Sequence, residues 1–199
     1  ESFYLRALEI WEAQLGPEHE DVAAALNNLA EIAHAKGEWT AAESLYERVL
    51  KIERKTLGPA HPDVAISLNN LAELYRKQER ETAAESTYRL ALTLMEQAHG
   101  PEHFDLGPVL NNLAALYKHR GLYAWAEPFY ERALKVRQLR FGREHPAVVM
   151  SLNNIACLYQ AEGLYAAAQH AFDEALMLEE RVSGPQSALA GTIVGNMAF

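Results

Sequence analysis

The chain has 199 residues, 49% of them hydrophobic, and a formal net charge of −9. The acidic balance argues against a general nucleic-acid binder, which needs a basic face. No run of about 18 apolar residues offers a membrane span, and no signal peptide is visible. The single cysteine, Cys157, cannot form an internal disulfide and agrees with a reducing, cytoplasmic location.

The organisation follows from one recurring pentapeptide. Leu-Asn-Asn-Leu-Ala stands at Leu26–Ala30, Leu68–Ala72 and Leu110–Ala114, and Leu152–Ala156 differs only by Ile155; the spacing is 42 residues each time. A fixed period of this size signals a stacked array of supersecondary units. In that register, 1–14 aligns with 43–56 and reads as the second helix of a partial repeat. Four full copies follow without insertion or deletion, at 15–56, 57–98, 99–140 and 141–182. The last stretch, 183–199, reads as the first helix of another partial repeat. Neither end carries a polar capping helix, so the chain reads as a piece of a longer array.

Within each copy a turn precedes two apolar-periodic segments. In the second copy Val64, Leu68, Leu71, Ala72 and Tyr75 line one helical face, and Ala84, Tyr88, Ala91, Leu92 and Met95 line another. Two helices of roughly 16 residues, about 24 Å each, fit the period. Strand signals are absent, which predicts an all-α chain of antiparallel helix pairs. The turns open with Gly16, Gly58, Gly100 and Gly142, each followed by a histidine: His19, His61, His103 and His145. Pro62 fits a first helical turn, and Asp63 suits the positive end of the helix dipole.

Gly37, Gly121 and Gly163 divide the two helices where a left-handed residue is wanted. Glu79 and Glu81 break that pattern in the second copy and predict a looser turn, costing about 1 kcal/mol for the lost glycine. Gly107-Pro108 predicts a first helix in the third copy that starts late or bends, and Pro128 should be tolerated. Trp39 is expected in the core, Trp11 partly exposed. Trp125 stands where Ala41, Ala83 and Ala167 stand elsewhere, so it must find a cavity or show at the surface.

The residues Leu68-Asn69-Asn70-Leu71-Ala72, Leu74-Tyr75, Ala84-Glu85, Tyr88 and Ala91-Leu92 resemble the tetratricopeptide repeat. The 42-residue length and the turn Leu57–Val64 resemble its kinesin light chain-like subclass. The resemblance covers essentially the whole chain. It implies a right-handed superhelical α-solenoid whose first helices line a concave, peptide-binding groove. The heptad coiled coil expected before such repeats in a kinesin light chain does not occur here, so motor attachment is not implied.

Carried onto this sequence, the groove face gives four rows: Asn27, Glu31, His34; Asn69, Glu73, Arg76; Asn111, Ala115, Lys118; and Asn153, Cys157, Gln160. Lys77 and His119 would lie at its edge. An asparagine amide offers both donor and acceptor to an extended peptide backbone, which makes the first asparagine of each pair a candidate peptide contact. The second asparagine (Asn28, Asn70, Asn112, Asn154) is assigned to stacking between repeats. Arg76, Lys77, Lys118 and His119 form a basic cluster that would favour an acidic or C-terminal segment, although cations at a helix C-terminus also complement its dipole.

The turn histidines are too far apart from repeat to repeat to share a zinc, and no metal or cofactor site is expected. No catalytic motif occurs. The reading is therefore a non-catalytic scaffold that binds a protein or peptide partner, with no nucleic acid and no membrane. Two alternatives stand beside it. One is a self-assembly module forming homo-oligomers through exposed array ends, testable on the terminal helix at 188–199. The other is a sensor segment of a larger signalling protein.

Overall fold

A computed structural model describes residues 2–197; Glu1, Ala198 and Phe199 lie outside the described residues, and with them the extremes of both partial repeats. The helices are α1 (Ser2–Leu15), α2 (Glu20–Lys36), α3 (Trp39–Thr56), α4 (Pro62–Lys77) and α5 (Glu81–His99), then α6 (Leu106–His119), α7 (Tyr123–Phe141), α8 (Pro146–Glu162), α9 (Tyr165–Val182) and α10 (Ala188–Met197). No strand occurs among the described residues. The chain divides into two compact units, Glu1–Gly100 and Pro101–Phe199. The first carries α1–α5, the second α6–α10.

Unit 1 packs α2 on α3 and α4 on α5 as antiparallel pairs, with α1 against α2 and α3 against α4. Its core joins Val22, Ala23 and Leu26 of α2 to Val49 and Ile52 of α3, with Leu8 and Trp11 of α1 closing one side. Unit 2 repeats the scheme with α6 on α7, α8 on α9 and α10 on α9. There Phe172 and Ala168 of α9 meet Leu152 and Ala156 of α8, and Ile193 of α10 packs against them. Alanines recur in both cores because a small side chain lets neighbouring helices approach closely.

The turns explain why the pairs fold back. Gly37 (φ 77°) and Gly163 (φ 85°) adopt left-handed backbone at the ends of α2 and α8. Their N–H groups and those of the next residues close onto carbonyls of the last turn, as in Glu38 N to Ala33 O at 2.9 Å. Glu79 makes the same pattern, with its successor Arg80 donating to Tyr75 O at 2.9 Å. It does so at φ 59°, alone among described non-glycine residues in having positive φ.

The third copy shows the effect of Gly107-Pro108. α6 begins at Leu106, two residues later in register than α2, α4 and α8. Pro128 sits inside α7, which continues unbroken to Phe141. Trp125 is 59% exposed and lies beside the Tyr117 ring at 6.1 Å. Trp39, expected in the core, is instead 38% exposed and meets His34 edge-on at 5.7 Å. The turn after Gly37 leaves its ring on the rim of the helix pair.

Candidate functional site

Three of the turn histidines are helix caps. His19 Nδ1 accepts from Asp21 N (3.3 Å), His61 Nδ1 from Asp63 N (3.2 Å) and His145 Nδ1 from Ala147 N (3.1 Å). Each of these bonds satisfies an amide that the first turn of a helix leaves open. His103 makes the same bond to Asp105 N at 3.4 Å, but ahead of the delayed α6, whose N-cap is Asp105.

The asparagines form inter-repeat rungs. Asn70 Nδ2 donates to Asn27 Oδ1 at 3.4 Å in unit 1. In unit 2, Asn154 Nδ2 donates to Asn111 Oδ1 at 2.6 Å and Asn196 Nδ2 to Asn153 Oδ1 at 3.0 Å. The second asparagine of one repeat thus holds the first asparagine of the repeat before it. Asn27 spends its own amide on Glu31 at 2.9 Å, and Asn153 is only 8% exposed. Asn69 and Asn111 are half-buried. Asn27, Asn111 and Asn153 therefore carry a stacking bond that sequence spacing assigned to the second asparagines alone.

The charged rows differ between the units. In unit 1, Arg76 grips Glu73 with two bonds, Nε to Oε2 at 2.8 Å and Nη2 to Oε1 at 2.6 Å. Tyr88 Oη donates to the same carboxylate at 2.8 Å. Burial opposes the Glu73 charge, but the Arg76 and Tyr88 bonds and the Arg76 and Lys77 charges outweigh it and hold its pKa below the ordinary carboxylate value. His34 is pushed below the usual imidazole range by burial, with Lys77 and Arg76 adding to the effect against Glu73. Lys77 is exposed.

In unit 2, Ala115 replaces that carboxylate, and Lys118 replaces the arginine. Lys118 is half-buried and makes no ion pair among the described residues. Its charge is felt by the Cys157 thiol, whose pKa burial raises while Lys118 pulls the other way. Gln160 is half-buried and His119 exposed on the same helical faces.

Two carboxylates with a buried, unpartnered oxygen, the half-buried Glu53 and the buried Glu179, escaped the sequence reading. Glu53 of α3 lines a cavity of about 260 Å³ that opens beside Asn27, between α2 and α4. Its Oε1 accepts from Ser67 Oγ at 2.9 Å, while its buried Oε2 has no partner among the described residues. Burial, reinforced by Asp63 and only partly offset by Ser67, raises its pKa to about 7. The same register position in unit 2 is Arg137. Its Nη1 donates to Ser151 Oγ at 2.6 Å, and its stem covers Gly107. Aligning the copies column by column places Glu53, Met95, Arg137 and Glu179 together; a column of such mixed charge inside a packed array was the available signal.

Against known proteins, the tetratricopeptide repeat family matches residues 1–52, 21–97, 63–138 and 105–181. Among solved structures, BtubC (BKLC) from P. vanneervenii is similar at 24% identity, covering 98% of this chain and 79% of that one, with a TM-score of 0.84. Nearly identical TPR-like repeats from Podosopora anserina, named for a kinesin light chain, share 24% identity over 94% of this chain and 87% of theirs, with a TM-score of 0.72. No curated protein matches.

Proposed function

Because this chain belongs to the tetratricopeptide repeat family, whose helix pairs form protein-interaction scaffolds, we propose that it binds a peptide segment of a partner protein on the face of its first helices. The segment carries an acidic side chain or a C-terminal carboxylate, and Lys118 is its anchor in unit 2. The observation that carries this is the contrast between equivalent positions. Arg76 is already neutralised by Glu73, whereas Lys118 faces Ala115 and has no carboxylate. A half-buried cation without a partner is an energetic liability that an incoming carboxylate relieves through a charge-assisted bond. Asn111 supplies the adjoining amide and Gln160 marks the far end of the unit 2 row.

The test is a peptide-display selection, followed by titration of the selected acidic peptide and its amidated, uncharged counterpart. Lys118→Ala should weaken the acidic peptide about tenfold, the equivalent of about 1.4 kcal/mol. Ala115→Glu should do the same, by giving Lys118 the internal i,i+3 partner that Arg76 has. Unchanged affinity in both variants refutes the anchor.

A further inference from the structure

On α4, Leu68 and Leu71 point roughly 140° away from the row Asn69, Glu73, Arg76, at 100° per residue. Over these two leucines, between α3 and α5, runs an open groove of about 760 Å³ that lies wholly within unit 1. Leu50 completes its floor, whose three leucines are themselves buried, and Leu90, 43% exposed, stands with Thr87 on the α5 wall as the accessible apolar side chain. The α3 wall presents Lys51, Arg54 and Lys55 against one carboxylate, Glu47. This local excess of positive charge occurs in a chain of net charge −9.

Two of the three cations of the basic wall are not spent on internal pairing. Arg48, Arg76, Arg80 and Arg89 of the same unit each have a carboxylate partner. Lys55 pairs with Glu18, whose carboxylate also feels Lys51 at longer range. Lys51 and Arg54 make no ion pair among the described residues. Nor does the repeat require this charge: the register equivalents of Arg54, Lys55 and Leu90 in unit 2 are Gln138, Leu139 and Glu174.

We propose that this groove docks an acidic amphipathic helix of a partner protein, with its apolar stripe against the exposed Leu90 and its carboxylates against Lys51 and Arg54. The shape selects a helix. α3 and α5 are parallel walls over a third helix, the setting into which a further helix packs by ridges and grooves. The backbone N–H and C=O groups here are bonded within their own helices, so no strand edge is offered to an extended peptide. The occupant and the surface differ from those of the first-helix face, and the two readings stand or fall separately.

The probe is a labelled synthetic helix of about 16 residues with leucines on one face and glutamates flanking them. Its controls are a lysine-for-glutamate counterpart and a scrambled peptide of the same composition. Fluorescence anisotropy should show the acidic amphipathic helix binding at least about tenfold more tightly than either control. Lys51→Glu/Arg54→Glu should cost about tenfold or more, and Leu90→Asp a comparable loss, with circular dichroism confirming that both variants remain folded. Lys118→Ala should leave this affinity unchanged. Absence of binding, equal binding of all three peptides, or indifference to the groove variants overturns the proposal. Loss in Lys118→Ala overturns it as well, by placing the probe on the first-helix face.

Discussion

Glu53 makes stability depend on pH in a direction opposite to that of a paired carboxylate. Its pKa rises from 4.5 to about 7 on folding, chiefly through burial. Between those values the folded chain holds the proton more tightly than the unfolded chain. Stability contributed by Glu53 is therefore fully present below pH 4.5, falls as pH rises through the window to about 7, and is level above it. The shift of about 2.5 units corresponds to roughly 3 kcal/mol at 1.36 kcal/mol per unit. Screening by solvent at a half-buried group reduces this to about 1–2 kcal/mol.

Glu53→Gln removes the titrating proton and keeps an oxygen for the Ser67 hydroxyl. Urea denaturation of both proteins at intervals from pH 4.5 to 8 isolates the effect, because the other titrating groups cancel in the difference. The two should be close at pH 4.5, and the variant should be more stable by about 1–2 kcal/mol at pH 8. A difference that does not change with pH would refute the reasoning. A wild type that gains on the variant as pH rises would show that the carboxylate has a cationic partner.

Glu79→Gly relieves the left-handed strain at φ 59° and should stabilise unit 1 by about 1 kcal/mol, seen as a raised urea midpoint; no gain would mean that the Glu79 side chain offsets the strain. Asn111→Ala, Asn154→Ala and their double variant form a cycle across the 2.6 Å rung. The coupling expected is about 1 kcal/mol, and additive losses would remove the rung from the account of stacking. Arg76→Ala leaves Glu73 half-buried with only Tyr88 as a donor, and should destabilise by about 1–2 kcal/mol at neutral pH. That loss should shrink as acid protonates Glu73, which a denaturation series down to pH 4 would show.

The helical frame was legible because every copy repeats it. Val64, Leu68, Leu71 and Tyr75 recur at helical spacing, and the glycines mark both kinds of turn, so element type and register follow from the alignment alone. Departures in backbone chemistry were readable in part: Gly107-Pro108 delays α6 as expected, whereas Glu79 does not loosen its turn but keeps the same hydrogen bonds in left-handed backbone. Side-chain partners were less accessible. Asn27 and Asn70 sit 43 residues apart, and only the offset of one repeat on the next brings their amides together. Trp39 shows the same limit, since its exposure depends on the angle at which the helix pair closes over the turn.

The candidate sites lie where the copies disagree, and this has a physical basis. A stacked array must keep the residues that bury each repeat against its neighbour, so those columns repeat. Columns off the seam are released from that demand and can take any charge the local packing tolerates. Position 73 holds a carboxylate in one repeat and Ala115 in the next; position 53 becomes Arg137 two repeats on. At each of these columns the frame has similar neighbours: Tyr88 and Tyr130 in one case, Ser67 and Ser151 in the other. Changes at one or two positions therefore convert an internally neutralised pair into an unpaired cation, or a half-buried carboxyl into a guanidinium, without altering the helices that hold them. Repetition fixes the geometry, and the exceptions to repetition set which charge each stretch of surface presents to a partner.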